Sequence, residues 1–251
     1  MINTNLPGHE SANGGAKVHT GVNTGTKGLN KLVSTEKVAM ISDNTTCEKI
    51  LQCLFHPFIC CCRRKYKIMN AAPGYKVGDT TLYRLVQTSI CCPTQWTLYY
   101  GDTDEGVMAY TYRDSCFASL CRPCCGGPGL DLNDLREDGS RGTHYGDAFF
   151  PKCQCFDRGY DIRDTETKRK YYVGYICNCC GDDLQPLPVW NEDKNEITSY
   201  NILVVPCLKR FFPCLCCCMK NHWIIDFPHK SNDIERANFI GGNIFSDKIY
   251  N

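Results

Sequence analysis

The most regular alternation of apolar and polar positions runs from Gln95 to Arg113. Trp96, Leu98 and Tyr100 alternate with Thr97 and Tyr99, and Val107, Ala109 and Thr111 alternate with Met108, Tyr110 and Tyr112. Between them, Gly101 to Gly106 supplies Gly and Asp for a turn. A period of two on either side of turn chemistry predicts a β-hairpin. A second hairpin is predicted from Gly159 to Ile176, with Tyr160–Arg163 and Tyr171–Ile176 as arms and a polar link between them. A third is predicted from Pro188 to Val205, and a further strand-rich unit from Lys65 to Thr88. Repeated strands bounded by turn residues predict an all-β barrel or sandwich. No long segment carries a 3.6-residue period. The Gly-, Asp- and Arg-rich stretch at 126–156 reads as an irregular insertion. Residues 1–46, rich in Asn, Gly, Thr, Ser and Lys, read as a disordered polar tail that buries too little apolar surface to offset its ordering entropy. The barrel domain is expected over 47–251.

Composition changes the picture at one point: 21 of the 251 residues are cysteine. The first residues lack a basic region followed by an apolar one, so no secretory signal is expected and the default compartment is reducing. An odd number of cysteines also forbids complete pairing within the chain. Metal ligation, lipid attachment or burial as small apolar side chains must account for them. A net charge of +1 predicts no nucleic-acid partner. The longest apolar-looking run, Ile202 to Met219, is broken by Lys209-Arg210 and by Pro206 and Pro213, so no spanning helix is expected.

Three C-x2-C pairs, Cys121/Cys124, Cys177/Cys180 and Cys214/Cys217, raise the possibility of zinc. Their separations far exceed the roughly 15–20 residues of a compact zinc ribbon. Adjacent cysteines such as Cys60-Cys61-Cys62 and Cys216-Cys217-Cys218 also point in divergent directions. Zinc is therefore the lesser alternative. S-acylation needs only accessible thiols close to a bilayer, and two or more acyl chains anchor stably. Cys121, Cys124 and Cys125, within Leu120 to Cys125, are the first candidates; Cys214, Cys216, Cys217 and Cys218, after Phe211-Phe212-Pro213, are the second. Arg63, Arg64, Lys65, Lys209 and Arg210 could add attraction to anionic lipid. Cys47, Cys53 and Cys116 read as core.

Other candidate chemistry is thin. Asp102, Asp104 and Glu105 suggest calcium superficially, but Gly106 breaks the EF-hand spacing, and a solvated turn is the better reading. His56, His144, His222 and His229 could pair with a thiolate, yet no local signature of a cysteine hydrolase accompanies them. Gly126-Gly127-Pro128-Gly129 lacks the spacing and the lysine of a phosphate loop. Trp96, Trp190 and Trp223 read as core.

Cys91-Cys92-Pro93, the strand ending near Leu98, the turn, the second strand, and Arg113 through Cys121-Arg122-Pro123-Cys124-Cys125 together resemble the phospholipid scramblase family. In that family a hairpin precedes a similar palmitoylation cluster. Lys65 to Asn70 is similar to its opening strand, and Val173-Gly174-Tyr175-Ile176 to its central strand. Pro188 to Asn195, leading to Cys207 and Cys214–Cys218, is similar to its penultimate hairpin and second cluster. Trp223 to Phe227 stands where the family has its next strand. The resemblance covers roughly 55–245. It implies a closed antiparallel barrel of about twelve strands, shared with tubby-like proteins, around a central C-terminal helix. It implies calcium-stimulated, ATP-independent movement of phospholipids between leaflets, with no covalent chemistry. It also implies a palmitoyl anchor on the cytoplasmic face of the plasma membrane or an endomembrane. The family's last strands, acidic calcium-binding segment and apolar terminal helix find no counterpart in the sequence, so the helix is expected to be missing or reduced. Protein partners are expected through the N-terminal tail. The alternatives are a tubby-like module that binds lipid or protein without transport, and a zinc-stabilised domain.

Overall fold

The computed structural model describes residues 28–44, 63–89, 94–113, 129–136, 138–149, 159–174, 184–204 and 222–250. A short helix α1 (Asn30–Val33) precedes twelve strands: β1 (Lys37–Ser42), β2 (Lys65–Ala72), β3 (Lys76–Ser89), β4 (Thr94–Tyr100), β5 (Gly106–Arg113), β6 (Gly129–Leu135), β7 (Arg141–Phe149), β8 (Tyr160–Asp164), β9 (Lys170–Val173), β10 (Leu184–Asn191), β11 (Ile197–Val204) and β12 (His222–Asp226). A second helix, α2 (Asp233–Tyr250), follows. Each strand pairs antiparallel with its neighbours in sequence, and β1 closes the ring on β12 with Val38 opposite Ile225. The fold is an all-β, closed, twelve-stranded barrel. Closure leaves no strand edge to pair with another chain.

The period of two decides which side chains meet inside. On β2, Tyr66 and Ile68 are buried, while Lys65 and Lys67 face outward. Their partners on β3 follow suit, with Leu85 and Tyr83 inside and Arg84 outside. Within the described residues the predicted hairpin arms are strands, except that the arm Tyr171–Ile176 leaves the sheet after Val173, Gly174 lying beyond β9. Trp96 and Trp223 are buried as expected; Trp190 is only half-buried.

Two expectations are corrected, and a third, the reduced C-terminal helix, takes a concrete form. The proposed disordered tail contains α1 and β1. Val38 and Met40 fill the interior from β1 while Ala39 is buried on the other face, so the run Val38-Ala39-Met40-Ile41 carries no apolar–polar alternation to read. The supposed insertion at 126–156 contains β6 and β7. There Leu130 and Leu132 point inward while Asp131 and Asn133 face out. Its Gly content reflects close approach: a Cβ on Gly146 would lie 2.3 Å from Asn238 Nδ2 and 2.5 Å from Arg163 O. Finally, residues 233–250 form a helix although they carry no 3.6-residue period. A helix enclosed on every side has no solvent face to pattern, and every described side chain from Asp233 to Ile244 is buried. The interior helix, expected to be missing or reduced, is this one short helix, polar rather than apolar.

Local chemistry explains where α2 starts. Asn232 Oδ1 accepts from Glu235 N at 2.6 Å, and Glu235 Oε2 accepts from Asn232 N at 2.9 Å. This is a reciprocal capping box. Glu235, 1% exposed, also accepts from Arg169 Nη1 at 3.3 Å, Thr167 Oγ1 at 3.2 Å and Tyr171 OH at 3.4 Å. Burial, with the Glu235 charge beside it, pushes the Tyr171 phenol up to about 12. Arg236 Nη1 donates to the carbonyls of Leu32, Val33 and Thr35, and its Nε donates to Ser231 Oγ at 3.0 Å. One guanidinium thus takes up the C-terminal carbonyls of α1, groups that a four-residue helix cannot satisfy itself. The outcome is a plug of α1 and the start of α2 at one end of the barrel.

Candidate functional site

In an up-and-down barrel, alternate connections fall at opposite ends. The links 101–105, 136–140, 165–169 and 192–196, together with the plug, lie at one end, while the β2–β3 link 73–75 leaves from that end and folds back over the wall, Tyr75 packing with Ala39, Ile202 and Ile224. The links 43–64, 90–93, 114–128, 150–159, 174–183 and 205–221 leave and re-enter the barrel at the other. All 21 cysteines belong to this second set. The strand ends that bound them are Ser42 and Lys65, Ser89 and Thr94, Arg113 and Gly129, Phe149 and Tyr160, Val173 and Leu184, and Val204 and His222.

The cysteines themselves, including Cys121, Cys124, Cys125, Cys214, Cys216, Cys217 and Cys218, lie outside the described residues. So do Lys209 and Arg210, and Cys47, Cys53 and Cys116. Among the basic candidates, Arg63 is exposed and Arg64 and Lys65 are half-buried at the start of β2, at this same end. Their backbone is held firmly. Asn44 Nδ2 donates to Arg63 O at 2.7 Å, Arg64 N donates to Gln87 Oε1 at 2.9 Å, and Lys65 N donates to Asn44 Oδ1 at 2.9 Å. The side-chain amides of Asn44 and Gln87 therefore fix where the basic triplet leaves the barrel wall. The Lys67–Asp43 ion pair, 3.1 Å long, is next to it.

Metal candidates fare differently. Asp102, Asp104 and Glu105 stand exposed in the β4–β5 turn, with Arg84 Nη2 on Asp104 Oδ1 at 3.2 Å. Among the described residues, no group of three or more His, Cys, Asp or Glu side chains converges to hold an ion. His144 is exposed and faces Asp131 at 3.7 Å; His222 Nε2 lies 3.1 Å from Tyr75 O. Three of the cysteine-bearing links, those with the C-x2-C pairs, are bounded by strand ends at one end of the barrel. Their separation in sequence therefore does not separate their points of departure.

A groove of about 830 Å³ on the outer wall escaped the sequence reading. It runs over β3, β4 and β5 beneath the β6–β7 turn, and Thr88, Gln95, Thr97, Tyr99, Glu105 and Asp134 contribute to its lining. Much of its polarity is already engaged. Thr88 and Thr97 share a hydrogen bond at 3.3 Å, and Arg141 Nη2 donates to Gln95 Oε1 at 3.3 Å. Pairing of β3 through β7 brings these strands and that turn together across the sheet, so no local motif announces the groove.

No family model, curated protein or solved structure matches the chain.

Proposed function

We propose that the protein is a phospholipid scramblase-like, membrane-attached barrel that moves phospholipids between leaflets without ATP, and that acylated cysteines at one end hold it on the bilayer. The observation that carries this reading is the gathering of every cysteine-bearing connection at the end that also presents Arg63, Arg64 and Lys65. Several acyl chains and a basic surface acting from one side make a two-signal anchor. The wall adds a second reason. A membrane-spanning barrel turns an apolar band to lipid. Here Lys65, Lys67, Arg84, Arg163 and Lys170 stand on the outer face, and the wall's own apolar patch, Ala39, Ile202 and Ile224, is buried under Ala71, Tyr75 and Val77 rather than turned outward. No described helix is long and apolar enough to cross a membrane. Attachment from the surface suits such a body, and a covalent anchor supplies it.

Scrambling lowers the cost of drawing a polar head group through hydrocarbon, which is a desolvation cost. It needs no catalytic residues. A filled interior excludes a lipid path along the barrel axis, so any transfer proceeds at the outer surface. That same filling favours, as a second reading, a tubby-like module that binds lipid without transport. Reconstitution into liposomes carrying a labelled phospholipid separates the two: transfer above the protein-free control is expected, and binding without transfer selects the second reading. Membrane fractionation before and after hydroxylamine tests the anchor; a protein that stays in the soluble fraction and carries no thioester defeats both the anchor and the reading built on it. Elemental analysis of the purified protein for zinc tests the third arrangement of the same thiols.

A further inference from the structure

An antiparallel wall with its core on one face is expected to turn polar residues outward on the other. Strands β6 to β8 obey this, with Asp131, Asn133, Asp147 and Arg163 on the outer face. Strands β10 and β11 do not, and neither carries a charged residue along its length. Leu187, Val189 and Asn201 face the core, so the alternate positions Leu184, Pro186, Pro188, Tyr200, Ile202 and Val204 face out. Ile224 of β12 and Ala39 of β1 continue this apolar strip around the wall.

The chain covers only part of the strip. Register shifts between Ile68 and Ala71 bend the β2–β3 hairpin, which lays Ala71, Tyr75 and Val77 against Ala39, Ile202 and Ile224. His222 Nε2 lies 3.1 Å from Tyr75 O, which places the hairpin tip beside the start of β12, at the cysteine-bearing end. Leu184, Tyr200 and Val204 pack on the edge of this cluster and stay half-exposed. Leu184 and Val204 are paired strand ends, and they bound the connections 174–183 and 205–221. Lys76 is exposed beside Tyr75, and Arg63, Arg64 and Lys65 leave the wall at the same end. An apolar and aromatic strip bordered by basic side chains matches the boundary layer of an anionic bilayer. Aliphatic and Tyr side chains there meet the acyl boundary, and Lys and Arg meet phosphate.

We propose that this strip is a lipid-binding surface: Tyr75, Leu184, Tyr200 and Val204 enter the interfacial layer of an anionic membrane, and Lys76 and the basic triplet contact its head groups. The inference rests on the membrane-attached reading and fixes which side of the barrel lies on the bilayer. The β6–β8 wall then faces away from lipid. The strip gives the chain an affinity for the bilayer that does not depend on acylation.

Co-sedimentation of the full chain, freed of thioesters by hydroxylamine, with phosphatidylcholine–phosphatidylserine vesicles tests this. Replacing Leu184→Glu and Val204→Glu together is expected to weaken binding about tenfold, because each carboxylate is repelled by the lipid charge and is costly to bury. Asn133→Glu, on the opposite wall, adds like charge more than a Debye length from the surface and should change binding by less than about twofold. Equal losses on both walls, unchanged binding by the double variant, or no binding by the deacylated parent each overturn the proposal. The last of these leaves acyl attachment standing, since fractionation of the untreated protein reads that separately. Strip-dependent binding by a chain that carries no thioester in cells refutes the anchor and not the strip. Unchanged vesicle binding with a lower sedimentation mass in the double variant would assign the strip to a contact between copies. If the double variant does not fold, Val204→Trp and Asn133→Trp in vesicles of brominated phosphatidylcholine and phosphatidylserine give a second reading. Quenching of the added fluorescence is expected for Val204→Trp; equal quenching of both, or of Asn133→Trp alone, overturns the proposal.

Discussion

At the plugged end of the barrel the chain turns tightly and ties each turn with side chains. Asp164 Oδ1 accepts from Glu166 N, Thr167 N and Thr167 Oγ1, and Asn191 Oδ1 accepts from Asn195 N. Lys168 and Lys194 take positive φ in these turns, a strain that only a well-determined setting sustains. Buried Glu235 and Arg236 then lock α1 and α2 to the rim. At the other end the connections are mostly longer and carry all the cysteines. The contrast shows how one chain divides two tasks. Tight turns, a capping box and a buried guanidinium specify the barrel at one end. The cysteine-bearing connections start and finish on this scaffold, and connections held at both ends by a rigid scaffold are where function concentrates.

This division predicts that the two ends fail separately. The largest effect is expected from replacing Cys121, Cys124, Cys125, Cys214, Cys216, Cys217 and Cys218 together by Ser. Under the proposed attachment the protein moves from the membrane fraction to the soluble fraction, while Tm stays within about 2 °C of the parent. A Tm that collapses would mean that these thiols hold the fold and that the ends are not independent. Next in size, Arg236→Leu removes the donor to three carbonyls and leaves them buried. It should cost about 3 kcal/mol in urea unfolding and leave membrane partition unchanged. A smaller loss, about 2 kcal/mol, is expected for Gly146→Ala. The new methyl meets the backbone oxygen of Arg163 as well as Asn238, and a backbone carbonyl cannot swing aside. Wild-type stability in that variant would show that α2 can shift on its seat.

The parts legible in the sequence share a physical reason. Hairpins such as β4–β5 declare themselves because one face is buried and the other is wet, so burial is written as alternation. Alternation foretold an all-β barrel or sandwich; closure with about twelve strands was what the family resemblance implied. Helix α2 is illegible for the opposite reason, since Asn238, Asn243 and Ser246 are as buried as Phe239 and Ile240. Strand β1 is hidden because both of its faces are covered, Val38 and Met40 inside and Ala39 outside, which erases the alternation, and β6–β7 by the Gly and Asp that the outer wall and the close approach of α2 require. For the candidate site, cysteine clusters after each hairpin were visible as a spacing. Their assembly at a single end follows only from topology, because period and spacing do not say which way consecutive strands run around a ring.

The smallest expected effect lies at the plugged end, where Lys37 Nζ meets Asp226 Oδ2 at 3.0 Å. Burial raises the Asp226 carboxyl above its ordinary value, and the Lys37 charge offsets part of that rise. The unfolded chain has the ordinary value, so between the two values the native state binds more protons than the unfolded state. In that window stability falls as pH rises. Above it the cost of the buried carboxylate is fully present, and below the ordinary value the group contributes its full stabilisation. Asp226→Asn removes the titration but keeps the shape, and a half-exposed Lys37 contributes little as a surface partner. The stability difference, variant minus parent, should therefore increase as pH rises through the mildly acidic range and level off near neutrality. Urea midpoints of both proteins across that range measure it. A difference that decreases with pH would show that the ion pair with Lys37 outweighs burial, and that the plugged end is held together by surface charge as well as by the buried bonds of Glu235 and Arg236.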